Sequence, residues 1–78
     1  MSALEWHDGA AVGVVGRYFF IIAAAEEEDW AYSVWVQPHP TGLCHVVEIG
    51  GAPEFNAALA ECRRIIRRQP GGGLRAVP

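Results

Sequence analysis

The sequence contains no lysine, only two serines (Ser2 and Ser33), one threonine and one methionine. With so few hydroxyls, no nucleophile–base–acid set is apparent, and no carboxylate pair falls in an evident cleft. The three glycines Gly71–Gly73 follow the predicted helix, the wrong side for binding an anion at a helix N-terminus. No CxxC or HxxxH spacing occurs, and a tetrahedral metal site needs four suitably spaced ligands. His39, Cys44 and His45 come nearest, but adjacent strand residues point to opposite faces, which separates Cys44 from His45. These absences argue against an enzyme and against a bound cofactor or metal.

Long apolar runs are missing too. The longest, Tyr18 to Ala25, is far too short to cross a bilayer, which argues against a membrane protein. The opening residues Met-Ser-Ala-Leu-Glu-Trp-His-Asp lack the basic and apolar segments of a secretory leader. The expectation is a cytoplasmic protein of a bacterial host, with Cys44 and Cys62 as reduced thiols rather than a bridge.

What is present is a short, apolar, strongly polarised chain. Its 78 residues predict a single domain over 1–70 and a flexible tail over 71–78. The apolar fraction of 51% and mean hydropathy of +0.13 exclude a disordered chain. Residues 1–62 hold all nine acids against Arg17 alone, a net of −8, and residues 63–78 hold five arginines, +5. An acidic body with one basic end argues against direct binding of nucleic acid. So small a fold also gains from pairing with another copy, and a homodimer is expected.

The chain is organised around residues 17–37, two β-rich runs separated by Glu26-Glu27-Glu28-Asp29, which reads as a hairpin with a charged tip. Period-two alternation puts Tyr18, Phe20, Ile22 and Ala24 on one face and Phe19, Ile21, Ala23 and Ala25 on the other. The second run has Trp30, Tyr32, Val34 and Val36 on one face and Ala31, Ser33, Trp35 and Gln37 on the other. Upstream, Leu4-Glu5-Trp6 begins a short strand and His7-Asp8-Gly9 is turn chemistry. Ala11–Val15 returns as an edge strand that Gly13 and Gly16 weaken or bulge. After the turn Pro38-His39-Pro40-Thr41-Gly42 a strand runs from Leu43 to Ile49. Its faces are Leu43, His45, Val47 and Ile49 against Cys44, Val46 and Glu48, and Gly50-Gly51 break it.

Residues 53–69 carry a helical stripe of Phe55, Ala58, Leu59, Cys62, Ile65 and Ile66. Pro53 suits its first position, Glu54 its first turn and the arginines its last turns, and Glu61 is placed to pair with Arg64. The order is β-β-β-β-α, or β-β-β-α without the first strand: an α+β fold with a three- to four-stranded antiparallel meander and one C-terminal helix on one face.

One helix covers one face of such a sheet. The second face then shows Phe19, Ile21 and Trp35, or their neighbours if the parity is opposite. Burying a side chain of this kind is worth about 1.5–3 kcal/mol, so the exposed face calls for a covering layer. That layer is a second copy, a partner protein, or the N-terminal segment with Leu4 and Trp6 folded across it.

Two further surfaces stand out. The tip Glu26–Asp29 reads either as a phosphate-mimicking knob for a basic groove on a nucleic-acid-binding partner, or as a solvated loop that keeps the protein soluble. The cluster Arg63, Arg64, Arg67 and Arg68 reads either as a grip on phosphate or acidic protein, or as complement to the helix dipole. Cys44, if exposed, offers an intermolecular disulfide under oxidising conditions.

In size, acidity, meander-plus-helix layout and the acidic tip Glu26–Asp29, the chain resembles the small phage and mobile-element inhibitors that include anti-CRISPR proteins. That resemblance implies a non-catalytic protein that binds a CRISPR surveillance complex or nuclease and blocks target-DNA entry, its tip set against DNA-contacting basic residues. The segment from Trp30 to Ile66 also resembles the HicB antitoxin half-fold, through Pro38-His39-Pro40-Thr41-Gly42-Leu43-Cys44 and the helix start Glu54-Phe55-Asn56-Ala57-Ala58-Leu59. The turn departs from that family's Pro-x-x-Pro-Gly-Cys pattern. This second resemblance implies an antitoxin capping a small RNase. A small homodimeric accessory protein is the remaining alternative.

Overall fold

The computed structural model describes residues 4–26 and 29–70. The expected tail over 71–78 and two of the tip acids, Glu27 and Glu28, lie outside the described residues. The fold is α+β: five antiparallel strands in the order of the sequence, followed by one helix packed on the sheet. The strands are β1 (Glu5–His7), β2 (Ala10–Val15), β3 (Tyr18–Ala24), β4 (Trp30–Val36) and β5 (His45–Ala52), and the helix is α1 (Phe55–Arg67). The sheet has five strands rather than the three or four expected, because Glu5–His7 and Ala10–Val15 both pair as strands.

That hairpin forms for local reasons. Asp8 and Gly9 both adopt positive φ, 53° and 83°, as a two-residue turn of the type favoured by Asp-Gly requires. The β2–β3 turn uses Gly16, at φ 61°, with Arg17 beside it. The register from Ala10↔Ala23 to Val15↔Tyr18 is unbroken. Gly13 therefore marks no bulge: it lies opposite Phe20, whose ring occupies the space a Cβ would need. Gly50 stands in the same relation to Tyr32, and this is why Gly50-Gly51 continue β5 rather than ending it.

The helix buries Ala58, Cys62, Ile65 and Ile66 against Phe20, Ile22, Tyr32 and Val34 of the central strands. Phe55 and Leu59 flank this stripe half-buried. Pro53 and Glu54 precede α1 rather than opening it, with Glu54 at the N-cap in an extended conformation, so no acid sits in the first turn. At the far end the Tyr18 hydroxyl donates to the Pro70 carbonyl at 2.6 Å, fastening the helix exit to the start of β3.

The N-terminal segment does not roof the second sheet face. Leu4 packs on the core, and Trp6 stacks on Phe55 with ring centroids 5.4 Å apart, on the helix side. One face is therefore covered by α1 and, among the described residues, no helix or strand packs on the opposite face.

Two consequences are measurable. Gly13→Ala forces its Cβ into the Phe20 ring and should cost about 1–3 kcal/mol, read as a lowered urea midpoint with unchanged m-value. Burial, with the Glu61 carboxylate adding to it, pushes the Cys62 thiol from 9.0 up to about 12. The unfolded chain releases that proton first, so stability should fall as pH rises through that interval. Cys62→Ala should lessen the slope in urea titrations at successive alkaline pH values.

Candidate protein-binding surface

Directly paired residues of antiparallel strands share a face, so the register defines the uncovered surface. Val14↔Phe19↔Trp35↔Val46 forms one row across β2–β5, Val12↔Ile21↔Ser33↔Ile49 the next, and Ala10↔Ala23↔Ala31↔Gly51 the third. No charged residue appears in these rows. Phe19 and Trp35 stack nearly parallel, 6.1 Å between centroids, and the Trp35 indole N–H donates to Ser33 Oγ at 2.8 Å. That bond satisfies the only strongly polar side-chain groups on the central strands of this face. Glu5 and His7, paired with Val12 and Ala10, supply a polar rim along β1, Glu5 Oε1 lying 3.2 Å from His7 Nε2.

The expected contacts Phe19, Ile21 and Trp35 are thus brought together on one surface. Val12, Val14, Val46 and Ile49 join them, with Val14, Val46 and Ile49 exposed by 53%, 50% and 70%. The last two correct the expected parity of β5. The register shifts between Val34 and Trp35, so that Glu48 pairs with Val34 and Val46 with Trp35, leaving Val47 as the extra residue. The bulge puts Glu48 on the helix side, places both Val46 and Ile49 on the open face, and lets Val47 pack on the core. Period-two counting along β5 cannot see it.

The acidic tip lies at one end of β3 and β4. The Ala25 N–H donates to the Asp29 carbonyl at 2.7 Å, closing the loop, and Glu26 and Asp29 are exposed. At the opposite end a groove of about 610 Å³ opens between Val14, Arg17 and Phe19 on one side and Pro38, His39 and Pro40 on the other. The segment beyond β4 is held by the Gln37 amide, which donates to the Pro40 carbonyl at 3.2 Å, and by a turn from Gly42 N–H to the His39 carbonyl at 3.0 Å.

Arg63, Arg64, Arg67 and Arg68 are exposed on α1, a layer away from the open face, so the sheet separates them from it. Arg64 is engaged by Glu61, and that hydrogen bond raises its pKa. Tyr32, also raised, owes the shift first to burial and then to the Glu61 and Glu48 carboxylates. Cys44 is exposed in the segment before β5, and Cys62 is buried. Among the described residues no group of three or more His, Cys, Asp or Glu side chains stands close enough to hold a metal ion, and no helix is long and apolar enough to cross a membrane.

Compared with known protein families, with curated proteins and with solved structures, the chain gives no match.

The contrast between the two thiols is directly testable. A maleimide or disulfide reagent should label one cysteine in the folded protein, Cys44, and the second only in denaturant. Rapid native labelling of both would contradict the packing of Cys62.

Proposed function

We propose that this chain is a non-catalytic, protein-binding inhibitor, anti-CRISPR-like in mode, which blocks a nucleic-acid-binding complex by steric and electrostatic occlusion. The observation that supports this reading most is the uncharged open face across β2–β5, with its Phe19–Trp35 stack and exposed Val46 and Ile49. A contiguous apolar patch of this extent is a surface for protein, whether a second copy or a target, and marks the chain as one that acts by association. It offers no group that could move a proton or hold a charged substrate. Of the ionisable groups with altered affinity for protons, Cys62 and Tyr32 are buried in the core and Arg64 is paired with Glu61 on the helix, away from the open face.

The acidic loop supplies the electrostatic half of the proposal. Glu26 and Asp29 are exposed at the end of the β3–β4 hairpin, and the sequence adds Glu27 and Glu28 between them. Four consecutive carboxylates in the sequence concentrate negative charge between β3 and β4, the charge needed to compete for basic residues that contact phosphate.

Replacing Glu26, Glu27, Glu28 and Asp29 by lysine should abolish inhibition of target-DNA binding by a CRISPR surveillance complex or nuclease, with circular dichroism and thermal unfolding unchanged. Inhibition that survives the reversal defeats the phosphate-mimic reading. Protection from a small RNase toxin instead would move the chain to the antitoxin class.

A further inference from the structure

The open face is graded along its strands. At the Arg17 end stands the stacked pair Phe19 and Trp35, at mid-strand Ile21 and Ser33, and at the tip end Ala23 and Ala31. Side-chain size therefore falls steadily from one end to the other. Shape and charge change ends along the same line. The 610 Å³ groove, with Arg17 in its lining, opens beside Phe19. The loop carrying Glu26 and Asp29 lies beyond Ala23. Arg17 is the only arginine before the helix.

We infer that the occupant of the open face is a second copy of this chain, packed sheet to sheet about a twofold axis that crosses the strands at the level of Ile21 and Ser33. Such an axis reverses strand direction between the copies. Each Phe19–Trp35 pair then lies on the other copy's Ala23–Ala31 pair, large against small, as close packing requires. Each Arg17-lined groove meets the other copy's loop carrying Glu26 and Asp29, one guanidinium against two exposed carboxylates, which leaves that end net acidic. An axis running along the strands would set the aromatic pairs on each other and alanine opposite alanine, wedging one end open and leaving a void at the other.

The size of the face fits. Four strands spaced about 4.8 Å apart and about seven residues long on average give about 450 Å² in plan, and on two corrugated surfaces on the order of 1,000 Å² in total, the lower bound for a specific interface. The rim is the least favourable part: Glu5 is level with Val12, and hence Ile21, and comes opposite its own copy. At the roughly 10 Å separation of packed sheets, in water, that repulsion is largely screened.

This inference rests on the reading of the chain as a binding protein, and sedimentation equilibrium of the full chain tests it. The wild type should be a dimer, and Ile21→Glu should give a monomer with unchanged circular dichroism. Ala31→Trp should weaken the dimer by about tenfold or more, and adding Trp35→Ala should restore it. Arg17→Glu should also weaken it, with a smaller salt dependence than the wild type shows. A wild type that stays monomeric at every concentration, or a dimer indifferent to Ile21→Glu, overturns the inference. An Ala31→Trp variant that dimerises more tightly overturns the crosswise axis. A monomer that still inhibits its target would leave the functional proposal standing without this one, and a dimer whose inhibition ignores the tip charges would do the reverse.

Discussion

The packing of one thirteen-residue helix on a five-stranded sheet governs the rest of this molecule. Cys62, Ile65 and Ile66 lock against Phe20, Ile22 and Val34, all of them under 3% exposed. At about 1.5 Å per residue the helix is about 20 Å long, enough to seal one face and no more. Leu4, just before β1, and Trp6 within it add to that same face. The remaining apolar side chains, fixed by strand alternation to the opposite face, are left for whatever the protein meets.

The helix side shows how tightly this layer is fitted. Phe20 and Tyr32 each lie across a glycine on the neighbouring strand, Gly13 and Gly50. The rings take up the volume that side chains at those positions would otherwise fill, so the helix can approach the sheet closely. The Tyr18–Pro70 hydrogen bond then anchors the end of α1 where its last carbonyls need neighbours. On this side of the sheet Glu48, Glu61 and Arg64 act electrostatically on Tyr32, and Glu61 pairs with Arg64.

Much of this was legible in the residues. The stripe from Phe55 to Ile66 has a period only a helix satisfies, and both faces of β3 and β4 follow from alternation, so Phe19, Ile21 and Trp35 could be assigned to a common surface. The Glu61–Arg64 pair followed from its three-residue spacing. What could not be read were features set by neighbours in space. Gly13 and Gly50 look like strand breakers until the opposing ring is known. Val46 and Ile49 reach the open face through a one-residue irregularity that no local pattern announces. The groove beside Arg17 is formed by two segments some twenty residues apart, and only the β3–β4 pairing brings them together.

The irregularity at Val47 has an effect beyond re-aiming side chains. β5 is the outermost strand, eight residues long, and its free backbone groups would template unlimited lateral addition of further chains if it were straight. The extra residue kinks it and raises its local twist, so a continuous ladder cannot be laid along it. Growth by strand addition into a fibre is thereby discouraged along this edge.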